Sequence, residues 1–187
     1  MKSPFNFIVK AVNRRRYNNI KEVGDRELII NASEEDHLFS NRYAEVIEVP
    51  LGYCGPIEPG NILIVHHNVF KFYNDMKGRR KSGRSFLRDD IFFVDNDQFF
   101  MYKKNGLWYA NGRYCFVKPM PAVESFIKKP FTNEPLCGVM VYPNEYLISQ
   151  GVFKGVNICF APDSEYEFDI DGERMYRIFD HKIAMIL

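Results

Sequence analysis

His66 and His67 stand side by side after the apolar run Ile62–Val65, and they are the first candidates for chemistry in this chain. Imidazole is the side chain best placed to move protons near neutral pH. Neighbouring residues on an extended strand point to opposite faces, so the two rings are expected to part rather than share a site. His37 and His181 are isolated, and Glu34, Glu35 and Asp36 form an acidic run that reads as a solvated loop. The four cysteines, Cys54, Cys115, Cys137 and Cys159, show neither a Cys-x-x-Cys pair nor zinc-like Cys/His spacing. They read as small apolar core residues. No GxSxG or HExxH pattern occurs. No catalytic residue, metal ligand or cofactor site is assigned, and a binding role is expected rather than an enzymatic one.

One further cluster bears on binding. Lys77, Arg79, Arg80, Lys81, Arg84 and Arg88 are interleaved with Gly78 and Gly83 and preceded by Phe70, Phe72 and Tyr73. Basic loops next to aromatics suit phosphate or single-stranded nucleic acid. With no phosphate-loop pattern and a formal net charge of only +1, the segment reads instead as a solvated hairpin tip or a charged face toward a neighbour. Nucleic acid is not the expected partner. No apolar run approaches the ~20 residues needed to span a bilayer. Met1–Pro4 leads straight into a strand-like run without a charged-then-apolar leader. A cytoplasmic setting is expected, in a bacterium or an infected host cell.

The elements that position these residues are short. Runs rich in β-branched and aromatic residues recur, at Phe5–Val12, Tyr43–Val49, Ile62–Val65, Val69–Tyr73, Ile91–Val94, Gln98–Tyr102, Tyr114–Lys118, Val139–Tyr142, Val156–Phe160, Tyr166–Ile170, Met175–Phe179 and Ile183–Leu187. Gly, Pro, Asn and Asp break them, and the Asn105-Gly106 and Asn111-Gly112 pairs are hairpin-turn signals. No helical apolar periodicity is sustained over three turns. Strands at this spacing predict an all-β chain of sandwich or barrel type.

The strands also repeat. Phe7–Lys10 resembles Cys115–Lys118, Glu45–Pro50 resembles Gly138–Pro143, and Pro59–Ile64 resembles Lys154–Cys159. A fourth match sets Phe86–Phe92 against Ile178–Ala184. The first pair is offset by 108 residues and the other three by 92 to 95. A duplicated domain follows, with a first unit over 1–104 carrying a long connector at 11–42, and a second over 105–187 that includes the linking hairpin.

The second half resembles the GroES-type co-chaperonin family. Phe116-Val117-Lys118-Pro119 is similar to that family's opening strand, and Lys154–Phe160 to its "GD-x-V-x-F" strand. Glu165–Ile170, Asp171-Gly172-Glu173 and Met175–Phe179 resemble its "I-D-G-E-E-Y-L-I-M" hairpin, and Asp180–Ile186 its terminal strand. The first half follows the same pattern more loosely. The chain differs from the family in being double and in its basic insertion after Tyr73. The resemblance implies two tandem GroES-like irregular β-barrels and a lid subunit that docks on a GroEL-type chaperonin ring, helping unfolded clients indirectly. It implies a ring-shaped homo-oligomer, with seven copies as the expectation. It assigns docking to the apolar triplet Leu28, Ile29 and Ile30 within the polar connector, the alternative being that the triplet is a core strand. Phe126 and Ile127, flanked by Pro121 and Pro130, read first as a short structural crossover stiffened by proline, with a second docking loop as the alternative. The resemblance assigns the subunit interface to Ile183, Ala184, Met185 and Ile186, the equal alternative being that this last strand only closes its own barrel. The alternative is a structural or assembly protein of the same fold, for example in a virus particle, with no chaperonin partner.

Overall fold

The computed structural model describes residues 2–18, 20–24, 26–29, 39–121 and 133–187. The chain divides into two compact units, Met1–Gly106 and Leu107–Leu187. The strands are β1 (Phe7–Ala11), β2 (Ile20–Val23), β3 (Arg26–Ile29), β4 (Tyr43–Glu48), β5 (Ile62–Val65), β6 (Phe72–Asn74), β7 (Arg80–Ser82), β8 (Phe86–Arg88) and β9 (Ile91–Val94). They continue as β10 (Phe99–Lys104), β11 (Leu107–Ala110), β12 (Tyr114–Pro121), β13 (Asn133–Tyr142), β14 (Asn157–Phe160), β15 (Tyr166–Ile170), β16 (Glu173–Phe179) and β17 (Ile183–Ile186). One short helix, α1 (Glu145–Ser149), interrupts them.

Two main antiparallel sheets result. A seven-stranded sheet runs β11-β10-β5-β4-β1-β9-β8, and a six-stranded sheet runs β15-β16-β12-β13-β14-β17. Two hairpins, β2–β3 and β6–β7, stand as separate two-stranded sheets. The chain is thus mostly β, as the strand pattern predicts, but neither main sheet closes into a barrel by strand pairing among the described residues.

The likeness of the two units reaches down to single hydrogen bonds. Reading β8-β9-β1-β4-β5-β10 against β15-β16-β12-β13-β14-β17 gives the same order of neighbours. In the first unit Ile8 pairs with Glu48 and, across a bulge, Val9 pairs with Val46. In the second, Phe116 pairs with Tyr142 and, across a bulge, Val117 pairs with Met140. Ala44↔Leu63 in one unit matches Gly138↔Ile158 in the other. The bulge before the third matched strand also recurs. The Val46 amide donates to Asn61 O at 2.9 Å and its carbonyl accepts from the Gly60 amide at 2.8 Å; Met140 does the same with Val156 and Gly155 at 2.9 and 2.8 Å. Gly60 and Gly155 both adopt left-handed backbone, at φ 88° and 92°, where a side chain would be strained.

The cores follow the repeat. Phe7, Val9, Val46, Ile57, Leu63, Val65 and Val94 pack in the first unit. Their counterparts by register, or by chain offset for Val152 in the segment before β14, are Cys115, Val117, Met140, Val152, Ile158, Phe160 and Ile178, which pack in the second. Gly138 has a separate reason for lacking a side chain: a Cβ there would lie 2.8 Å from Lys118 O.

Three sequence expectations change. The fourth repeat match is displaced: Val9↔Phe92 corresponds to Val117↔Tyr176, so β9 is the counterpart of β16 and not of β17. The counterpart of β17 is β10, since Met101↔Ile64 corresponds to Met185↔Cys159. The strand expected over Val69–Tyr73 starts only at Phe72, because Val69 and Phe70 turn inward and are fully buried. Finally, α1 escapes a search for long helices because it is five residues long and is held by its cap, with Asn144 Oδ1 accepting from the Leu147 amide at 2.8 Å.

Candidate partner-binding arm and surfaces

The connector between β1 and β4 leaves the first unit through a locked neck. The Asn18 amide donates to Phe39 O at 2.7 Å, the Asn41 amide donates to Arg16 O at 2.9 Å, and Tyr17 bridges to Ser40. Asn41, buried to 4% exposure, ties the two sides together. Its Nδ2 donates to Val12 O at 3.1 Å and Arg15 O at 2.7 Å, and its Oδ1 accepts from the Tyr43 amide at 2.9 Å. Ser40 Oγ donates to His67 O at 2.9 Å. Tyr17 packs edge-on against Phe72 with ring centroids 5.0 Å apart. The Arg16 guanidinium lies 4.8 Å from the ring centres of both Phe86 and Phe92 and donates to Ser82 Oγ at 3.0 Å. Burial pulls the pKa of Arg16 down, and Asp90, with Oδ1 at 3.6 Å, partly offsets this.

Beyond the neck stands the β2–β3 hairpin. Its ladder pairs Ile20 with Ile29, Lys21 with Leu28, Glu22 with Glu27 and Val23 with Arg26, around Gly24 at φ 62°. Among the described residues these two strands pair only with each other. Leu28 is 58% exposed. Ile29 is the last residue of β3, while Ile30 lies outside the described residues. Phe126 and Ile127 also lie outside them.

Lys77, Arg79, Arg80 and Lys81 of the basic cluster lie on the β6–β7 hairpin, with Arg84 just after it and Arg88 at the end of β8; the second unit instead passes from β14 to β15 through residues 161–165. Asp75 builds the hairpin's turn: Oδ1 accepts from the Lys77 and Arg79 amides, each at 2.9 Å, and Gly78 takes φ 71°. Arg80 sits 3.5 Å over the Phe72 ring. Lys77, Arg79, Lys81, Arg84 and Met76 are all exposed.

At the far edge of the second sheet, β17 pairs with β14 through Ile158↔Ile186, Cys159↔Met185 and Phe160↔Ile183. Ile183 packs against its own unit's core. Ala184 is exposed, as are Met185, Ile186 and Leu187 at 59%, 56% and 60%. The same unit contains a buried polar anchor. Asp180 accepts from Arg113 Nη2 at 2.8 Å and from Asn144 Nδ2 at 3.0 Å. Burial pushes the Asp180 carboxyl up, but the hydrogen bonds from Arg113, Asn144 and the His181 amide outweigh it and hold the group below the usual carboxylate range. This anchor links the cap of α1 to the turn before β17.

Two readings of reactive residues are corrected. β5 ends at Val65, so His66 and His67 sit in the following turn and not on a strand. Their rings lie 4.1 Å apart instead of on opposite faces. The turn is closed by Val69 N–H to His66 O at 3.0 Å, and His66 Nδ1 accepts from the Asn68 amide at 3.2 Å. Of the cysteines only Cys115 is buried; Cys54 is exposed, and Cys137 and Cys159 are half-buried and adjacent. Their partnership is set by strand register and has no signature in sequence spacing. Among the described residues no group of three or more His, Cys, Asp or Glu side chains is arranged to hold a metal, and no helix is long and apolar enough to cross a membrane. No protein-family model matches the chain, and no curated protein matches it significantly.

Proposed function

We propose that the chain is a co-chaperonin-like lid subunit built from two tandem GroES-like units, working by docking and not by catalysis. The observation that carries this reading is the arm: a hairpin that emerges from a locked neck between the first two strands of a duplicated domain, with Leu28 turned to solvent. An exposed leucine on a two-stranded ribbon contributes little to its own unit's core and is available to a partner. Burying Leu28 and its two isoleucine neighbours would contribute roughly 1.5–3 kcal/mol each. Ordering the segment costs about 1–2 kcal/mol per residue fixed. The surplus per arm is small, so tight but reversible capping needs several arms acting together. A ring of identical subunits supplies them, with seven copies as the working number.

In this reading the exposed row on β17 is the surface for the neighbouring subunit, since an edge strand offers main-chain hydrogen bonds and alternate-side apolar anchors. The ring partner is a GroEL-type chaperonin in the cytoplasm of a bacterium or infected host cell, and unfolded clients are assisted indirectly. The test is retention of the purified chain on an immobilised chaperonin ring with nucleotide, comparing wild type with Leu28→Asp and Ile29→Asp. Wild type should be retained and the folded variants lost. Equal retention of all three would remove docking from the arm. Assembly of the chain into particles with no affinity for the ring would favour the structural role instead.

A further inference from the structure

We propose that Cys137 and Cys159 form a dithiol site that an oxidising small-molecule disulfide converts to a cross-strand disulfide, stapling β13 to β14 in the second unit. The two residues face each other in the antiparallel ladder, and their Sγ atoms are 2.6 Å apart. Backbone bonding fixes the type of position. The Met140 amide donates to Val156 O at 2.9 Å, which makes that a hydrogen-bonded pair. Counting along the ladder through Val139↔Asn157 and Gly138↔Ile158, Cys137↔Cys159 falls on a non-hydrogen-bonded position. Opposed Cα atoms there are about 4.5 Å apart, within the ~4.4–6.8 Å range that disulfides span.

The site is reachable. Ile158 and Phe160 point into the core, so alternation along β14 places Cys159 on the opposite face, in line with the exposed Met185 of β17. Both cysteines are half-buried, unlike the enclosed Cys115. A bridging metal fits the geometry poorly. Two thiolates on one tetrahedral zinc, each at ~2.3 Å, would stand about 3.7 Å apart. A direct sulfur–sulfur bond needs the closer approach.

The chemistry balances with oxidised glutathione as the oxidant. One protein thiolate attacks the glutathione disulfide and releases one glutathione thiolate, leaving a mixed disulfide. The second protein thiolate then displaces the other glutathione. Two protein thiols lose two protons and two electrons, and one glutathione disulfide is reduced to two thiols. The hydrogen bond from Cys159, followed by burial, pushes the Cys137 thiol up to about 11, so exchange should quicken as the pH is raised toward that value. The new bond would pin β13 beside the irregular point where its ladder with β12 slips, between Pro119↔Gly138 and Pro121↔Asn133, and where Leu136 takes φ 58°.

The full chain is incubated with oxidised glutathione, the reagent is removed, and thiols are counted under denaturing conditions. The expected result is a fall from four thiols to two, an intact mass lower by two hydrogens, a linked Cys137–Cys159 peptide in a non-reducing digest, and a raised melting temperature that a reductant reverses. Cys54→Ser and Cys115→Ser should keep the change, while Cys137→Ser and Cys159→Ser should abolish it. Four thiols surviving treatment, a glutathione adduct persisting on either residue, or a linkage to Cys54 or Cys115 would each overturn the proposal.

Discussion

Replacing Asn41 by alanine removes a buried side chain that ties both sides of the neck together. Three hydrogen bonds disappear, to Val12 O, Arg15 O and from the Tyr43 amide, in a site that is 4% exposed. A typical internal hydrogen bond contributes about 1 kcal/mol net, and a buried group left without a partner costs ~1–3 kcal/mol. Water entering the truncated site will recover part of this, so the expected loss is about 2–4 kcal/mol. For a unit of this size each kcal/mol moves the melting temperature by roughly 4–8 °C. The first unit should therefore melt roughly 8–32 °C lower, an effect that calorimetry resolves. Ser40→Ala, which loses the bond to His67 O at 2.9 Å and a longer one to Asn41 O at 3.4 Å, should cost about 1 kcal/mol. A loss below ~0.5 kcal/mol for Asn41→Ala would refute the view that this side chain locks the neck.

Other substitutions test other parts. Gly138→Val should destabilise the second unit by about 1–3 kcal/mol, seen as a lower denaturant midpoint, because its Cβ would meet Lys118 O at 2.8 Å. Asp180 has a depressed carboxyl pKa in the fold, so its contribution is present above the ordinary carboxylate range and is lost as the pH falls through the folded-state value. Asp180→Asn should lower stability at neutral pH and flatten the acid limb of a stability-versus-pH curve. Leu28→Asp should change stability by no more than about 0.5 kcal/mol, read as an essentially unshifted melting temperature, since the residue is 58% exposed. Removing Ala184–Leu187 should reduce the mass of any oligomer measured by light scattering if the β17 edge carries assembly.

Much of the fold was legible because β-strands leave local marks. Val9, Val46 and Leu63 and their counterparts Val117, Met140 and Ile158 occupy apolar runs of similar length bounded by Gly and Pro, and their offsets appear in the sequence directly. The last two strands were harder. Asp89-Asp90-Ile91 and His181-Lys182-Ile183 look alike as polar-then-apolar steps, yet pairing with β1 and β12 aligns Ile91–Val94 with Met175–Ile178. Similar composition does not determine register, whereas hydrogen bonding does. The approach of the tilted His66 and His67 rings depends on β5 ending at Val65, a boundary that apolar alternation does not mark. The approach of Cys137 to Cys159 depends on register across two strands, so no spacing rule within one segment reveals it. Leu28 was identifiable as an apolar island in a polar connector, while its hairpin pairing with Lys21 carried no Asn-Gly turn signal.

The most direct test of the docking role is negative-stain imaging of the purified chain mixed with a GroEL-type ring and nucleotide. Rings capped at one or both ends are expected with wild type and absent with Leu28→Asp. Uncapped rings with wild type, under conditions in which an established co-chaperonin caps the same preparation, would contradict it.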